Sequence, residues 1–239
     1  NERVLQEAED VRNPLMERLK FLGIFSSNMD EFYKVRVASI QRRIEIGKHQ
    51  LSELLESIGD ETRELDERFR TVYARITASL AKEGIRILTE RDVQAHPDNL
   101  APWIHAHFCD QVLPHLVPII LGAGQPFPPL KDGALYFGVK MWGKRARYAI
   151  LELPPMLPRF VQLPNGDIMY LDDVIRHELN EIFYIFQYDR IEAFEFKISR
   201  DAELDIDNDF SEGYIRKMQK VLEQRKGGRP TRQIGRAHV

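Results

Sequence analysis

Cysteine is nearly absent. Cys109 is the single one in 239 residues, which excludes an intramolecular disulfide and fits a reducing compartment. Long apolar runs are missing as well: no stretch approaches the roughly 18 residues that a membrane-crossing helix requires. Neither charge is in large surplus, since 34 Lys and Arg face 37 Asp and Glu for a formal net charge of -3. That balance argues against a general affinity for nucleic acid, so any anion binding must be local. Phosphate-cradling loops are lacking too. No Gly-rich loop ends in Gly-Lys-Ser/Thr, and no G-x-G-x-x-G joins a strand to a helix. Gly122-Ala123-Gly124 has the glycines without the rest of either motif and precedes prolines, so it reads as a plain loop. No internal repeat is visible.

What is present is 43% hydrophobic and 30% charged, enough for one large domain or two small ones with their own cores. The ends read as those of a fragment. Asn1 opens inside a helical pattern without signal-peptide character, so an upstream piece is expected. Residues 225–239 hold five Arg or Lys, three Gly and no acid, the composition of a frayed or truncated basic tail.

Residues 3–84 carry helical spacing. Val4, Leu5, Ala8 and Val11 form a stripe that stops at Asn13-Pro14, where Asn can cap the next helix and Pro can take its first position. Leu15, Leu19 and Leu22 lead to Gly23. Two helical patterns then meet at a polar joint, Ser26-Ser27-Asn28. Ser27 stands three residues before Asp30, an arrangement that caps a helix start. Met29, Tyr33, Val37, Ile40 and Ile44 continue to Gly47. Beyond Leu51, Leu54, Leu55 and Ile58, the stripe Leu65, Phe69, Val72, Ile76, Leu80 suits a bundle partner, and Gly84 is a natural stop.

After Gly84 the pattern changes. Ile85, Ile87 and Leu88 predict a short strand, and Leu100 to Val112 a helix ended by Pro114. Prolines 114, 118, 126, 128 and 129 punctuate a predicted loop. Two hairpins are predicted: 134–142 with 146–153, and 159–163 with 167–171 across Asn165-Gly166. A helix capped by Asp172 or Asp173 is expected to run to about 186, a strand to cover 191–198 and a last helix 211–224. This half is α+β, and its order of hairpins and helices argues against a doubly wound sheet.

Several clusters invite chemistry. His105, His107, Cys109 and His115 could be read as metal ligands, but only His105 and Cys109 share a helix face, so a helix surface is the better reading and no metal site is assigned. Acids at 201, 203, 205, 207 and 209 lack the Gly and closing Glu of a calcium loop. Lys34, Arg36, Arg42, Arg43 and Lys48 are either a solvated face or a polyanion contact. The joint is richer than a turn needs. A helix start favours phosphate, and the Asn28 carboxamide offers the donor and acceptor that an adenine edge requires. From the residues alone, capping and ligand contact both remain open for Asn28.

Several stretches together carry a resemblance. They are Asn-Glu-Arg-Val-Leu-Gln-Glu-Ala (1–8), Asn-Pro-Leu-Met-Glu-Arg-Leu-Lys-Phe-Leu-Gly-Ile (13–24) and Ser-Asn-Met-Asp-Glu-Phe-Tyr-Lys-Val-Arg (27–36). Arg-Tyr-Ala-Ile-Leu-Glu-Leu-Pro (147–154), Pro-Arg-Phe-Val-Gln-Leu-Pro (158–164) and Ser-Arg-Asp-Ala-Glu-Leu-Asp (199–205) follow. Over about residues 1–232 the chain resembles the N-terminal part of the polyphosphate kinase family, bacterial enzymes that reversibly move the terminal phosphate of ATP onto inorganic polyphosphate through a phosphohistidine.

The resemblance implies a multidomain α and α+β architecture. An N-terminal antiparallel helical bundle (1–84) precedes a mixed α+β head domain (85–232), and 233–239 form an atypical tail. It implies that Asn28 contacts ATP while Ser27 and Asp30 cap, and that the head domain forms homo-oligomers. The catalytic domains, with the phosphorylated histidine and the Mg²⁺ ligands, are expected to follow this segment. None of its seven histidines is then the phosphorylated one, and no catalytic residue or metal ligand is assigned in it. The partners implied are ATP or ADP and inorganic polyphosphate, with no nucleic acid. The location implied is cytoplasmic, with membrane association of the parent enzyme left open. The alternative reading is a non-catalytic helical module that binds a polyanion or protein partner through Lys34 to Lys48.

Overall fold

A computed structural model describes residues 1–95, 97–122, 124–201 and 230–235, so the helix expected at 211–224 lies outside the described residues. The chain forms two compact units. One comprises Asn1–Ile76, Pro129–Gly133 and Ile198–Val239, the other Thr77–Pro128 and Ala134–Lys197.

The first unit is built on helices α1 (Glu2–Glu9), α2 (Leu15–Phe32), α3 (Ala38–Glu45) and α4 (Ser52–Lys82). The expected joint at Ser26-Ser27-Asn28 does not exist. α2 runs through it without a break, and a π-helical turn at Tyr33–Val37 carries the backbone on into α3. Serine inside a helix costs only a few tenths of a kcal/mol relative to good formers. Leu22, Phe25 and Met29, at spacings of three and four, form one continuous buried stripe that outweighs it.

A second expectation also fails. Asn13 does not cap α2; its amide instead donates to the Glu7 carbonyl (2.9 Å), and Pro14 takes the N-cap position. Gly47 and Gly84 do stop their helices, at φ +94° and +83°. At each, the glycine N–H bonds the carbonyl three residues back, and the next N–H reaches five back (Lys48 to Arg43, Ile85 to Leu80). Both are Schellman caps.

Leu65, Phe69, Val72 and Ile76 of α4 are buried as their spacing predicts. Phe25 stacks on Phe69 with centroids 5.6 Å apart, and the Tyr33 hydroxyl lies 2.8 Å from that of Thr62. The pairing descends α4 as it ascends α2, so the two helices are antiparallel.

The second unit holds β1 (Ile87–Leu88), α5 (Glu90–Ala95), α6 (Pro97–His107), β2 (Ile119–Leu121), β3 (Leu135–Trp142) and β4 (Arg147–Glu152). After these come β5 (Phe160–Gln162), β6 (Ile168–Tyr170), α7 (Leu171–His177), α8 (Leu179–Ile182) and most of β7 (Arg190–Arg200). β1 pairs in parallel with β6, and β6 in antiparallel with β5. A second sheet has the order β2-β4-β3-β7, and its pairs in this unit are antiparallel. The final residues of β7 belong to the first unit, where β8 (Pro230–Gly235) is their neighbour.

Both predicted hairpins are present, the second turning at Gly166 with φ +87°. β2 falls where a plain loop was expected. It is a three-residue strand at the sheet edge, directly after Pro118, the position at which proline does not interrupt a ladder. The helix expected from Asp172 starts instead at Leu171 after Tyr170, with both aspartates buried in its first turn, and it ends at His177 before the short α8. Phe137, Val139 and Met141 of β3, Ala149 and Leu151 of β4, and Ala193 of β7 face a core shared with Ile104, Phe108, Val174 and Phe183.

Candidate functional site

Asn28 lies in the interior of α2 and is half-buried. It is not a cap, because the helix has no end there. No hydrogen bond to its carboxamide occurs among the described residues, so its donor and acceptor are both free for a ligand. Ile24 and Phe32, four residues before and after, lie on the same helix face. Ile24 is exposed and Phe32 half-buried. An apolar shelf beside a free carboxamide matches the flat face and polar edge of a purine.

Ser27 and Asp30 also lose their expected capping roles. Ser27 is simply exposed. Asp30, two residues beyond Asn28, sits about 200° around the helix and so faces the other way. Its carboxylate is 3.4 Å from the guanidinium of Arg232 on β8. Arg232 also reaches Asp66 of α4 at 3.3 Å and lies 4.7 Å over the Tyr33 ring, with its side chain only 7% exposed. Two carboxylates and a ring face neutralise this nearly buried cation. The motif at 27–36 therefore divides by face: Asp30 and Tyr33 hold the unit together, while Asn28 is left available.

Of the basic cluster, Lys34 pairs with Asp132 at 2.8 Å and Arg42 with Asp201. Arg36, Arg43 and Lys48 are exposed and make no ion pair among the described residues. The acids at 203–209 lie outside the described residues.

In the second unit, His105 Nδ1 is 2.9 Å from Glu178 Oε2, and Cys109 Sγ is 3.7 Å from His105 Nε2. The Glu178 carboxylate raises the His105 pKa; burial, then nearby acids, raise that of the Cys109 thiol. His107 stacks on Trp103, and burial lowers its pKa. Among the described residues no group of three or more His, Cys, Asp or Glu is arranged to hold a metal ion.

Sequence reading missed a buried charge network. Glu195 of β7 is 6% exposed, and Asp172, Asp173 and Glu90 are buried with it. Arg159 lies 3.1 Å from Asp172 and 3.2 Å from Glu195; Arg176 lies 3.8 Å from Glu90, 4.0 Å from Glu195, and donates to the Ala193 carbonyl. Burial, and then the adjacent Asp172, push Glu195 up to about 7. The signal was the alternation at 193–198. Hydrophobicity would bury Phe194 and Phe196, whereas the structure turns Ala193 and Glu195 inward and leaves Phe194 61% exposed.

Residues 1–88 match the family described as polyphosphate kinase N-terminal domain, and residues 100–235 match the polyphosphate kinase middle domain. The chain belongs to the polyphosphate kinase family. Polyphosphate kinase of Escherichia coli (strain K12) is 36% identical over 247 residues, covering 97% of this chain and 36% of that protein. The Vibrio vulnificus (strain YJ016) relative is 37% identical, over 97% of this chain and 35% of its own length. The crystal structure of polyphosphate kinase from Porphyromonas gingivalis superposes with a TM-score of 0.75 at 30% identity, covering 93% of this chain and 36% of that one. The chain thus spans little more than a third of the polyphosphate kinases it matches. Asn28, Asp30 and Tyr33 fall in the N-terminal domain match, and the Glu195 network, apart from Glu90, falls in the middle domain match. No helix among the described residues is long and apolar enough to cross a membrane.

Proposed function

We propose that this chain supplies the N-terminal and middle portions of an enzyme that reversibly transfers the terminal phosphate of ATP to inorganic polyphosphate through a phosphohistidine. In this reading α2 is one wall of the ATP pocket, Asn28 pairs with the adenine edge, and Ile24 and Phe32 lie against the base. The observation that carries it is the Asn28 carboxamide, held on a rigid helix without a hydrogen bond to the described residues of its own chain. Preorganised polar groups of this kind hold ligands in place because their orientation costs little on binding.

The phosphohistidine and the Mg²⁺ ligands belong to catalytic domains outside this chain, where Mg²⁺ neutralises charge on the reacting phosphates. The chain alone then has no kinase activity. Its second unit associates with a second copy. Ile119, Ile150, Gly138 and Phe194 stand opposite one another across the sheet and so share the face turned from the core; the exposed ends of that row, Ile119 and Phe194, are apolar surface for such a contact. The alternative, a module that grips a polyanion through Lys34 to Lys48, is weaker, because two of its five cations are already paired.

The test is Asn28→Ala in the full-length enzyme. Loss of one or two ligand hydrogen bonds raises KM for ATP by about tenfold, with the melting temperature unmoved. An unchanged KM and kcat would remove Asn28 from the pocket.

A further inference from the structure

The β3–β4 hairpin end concentrates positive charge. Lys140, Lys144, Arg145 and Arg147 lie within eight residues, and strand pairing brings Arg190 of β7 opposite Trp142. The nearby acids are Asp189 and Glu192, and Glu192 is paired with Arg190. Lys140, Lys144, Arg145 and Arg147 make no ion pair among the described residues, and residues 144 to 148 are all exposed.

Three of these cations lie against rings. Lys140 Nζ lies 4.6 Å from the Trp142 ring centroid and 5.7 Å from that of Tyr148. Arg190 lies 4.8 Å from the same Trp142 ring. Arg147 lies 5.7 Å from the Phe186 ring and donates to the Gln187 carbonyl at 3.1 Å. A ring face fixes a cation's position without cancelling its charge. Lys140 and Arg190 share one face of the sheet, with Glu192 directly opposite Lys140, while Arg147 stands opposite the buried Met141 and so on the other face. The exposed residues Lys144 and Arg145 join the two strands, and a multivalent anion at the turn would relieve the repulsion among these like charges.

We propose that this hairpin end binds linear inorganic polyphosphate through backbone charge alone. The choice of occupant rests on the functional reading above, but the chemistry also favours it. The Trp142 ring is already engaged by two cations and the Tyr148 ring by one. That suits a ligand offering charge without bases better than single-stranded nucleic acid, which needs free rings to stack on.

The experiment titrates the purified 239-residue chain with long-chain inorganic polyphosphate at several salt concentrations, reading binding by calorimetry and by the fluorescence of Trp142 in a Trp103→Phe background. Lys144→Gln with Arg145→Gln, at exposed turn positions, should weaken binding at least tenfold at low salt. It should also lower the slope of log affinity against log salt by about one unit per removed cation. Arg43→Gln on α3 with Lys48→Gln just beyond its end should leave both values unchanged. Equal affinity of the hairpin variant and the parent chain would overturn the proposal. So would loss of binding in the α3 variant instead, or oligothymidylate bound as tightly as polyphosphate. ATP plays no part in this titration, so its outcome is independent of the Asn28 result.

Discussion

At the scale of single residues, polar groups were assigned by what surrounds them rather than by what they are. Asn28 and Asp30 are two positions apart in one motif, yet one is left free while the other is committed to Arg232. Glu195 shows the same dependence on surroundings. Arg159 and Arg176 face it alongside Asp172 and Glu90, and burial holds its pKa near 7, above the ordinary carboxylate value of 4.5. A raised folded-state pKa adds stability that is complete below the unfolded value and is lost as pH rises through the folded one. The second unit should therefore melt several degrees lower at about pH 8 than at about pH 6. Glu195→Gln, neutral throughout, should flatten that difference in calorimetric melting curves; a wild-type curve already flat over this range would contradict the assignment. Asn28 drew notice in the sequence because it sits in a distinctive motif, although the unbroken helix removes the capping role that the residues alone left open to it. The Glu195 network was not, because a charged residue flanked by phenylalanines gives no local sign that its own face is the buried one.

At the scale of elements, periodicity carried most of the fold. The stripe from Leu65 to Ile76 and both hairpins followed from spacing and from Asn165-Gly166. Boundaries were lost wherever packing outweighed local chemistry. Three polar residues looked like a joint, but Leu22, Phe25 and Met29 keep one helix buried straight through them. The strand at 119–121 was hidden because prolines on both sides drown a three-residue signal. On the second sheet, Phe194 leaves a large apolar group in water, which accords with a partner surface. The chain at micromolar concentration should sediment as a dimer, and Phe194→Asp should shift it toward monomer. A parent chain that is already monomeric would remove the support this face lends to association.

At the scale of the whole molecule, the chain spans 36% of the Escherichia coli relative and carries matches to two domains of its family. Purified and supplied with ATP and Mg²⁺, it should make no polyphosphate; synthesis above a heat-killed control would show that it carries the chemistry itself. The sequence resemblance was legible because ordered motifs recur along nearly all of the chain. The arrangement into units was not, since it depends on which distant segments return to one another. The polypeptide passes between its two units four times, at 76, 128, 133 and 197. As a result the helical unit is not a contiguous piece of gene. Its ion pairs draw on Asp132, Asp201 and Arg232, all encoded well after its helices. A ribosome making this chain releases α2 long before those partners exist, so Asp66 waits for 166 further residues and Asp30 for 202 before Arg232 closes over them. Cutting the gene at the end of the bundle would leave that wait permanent.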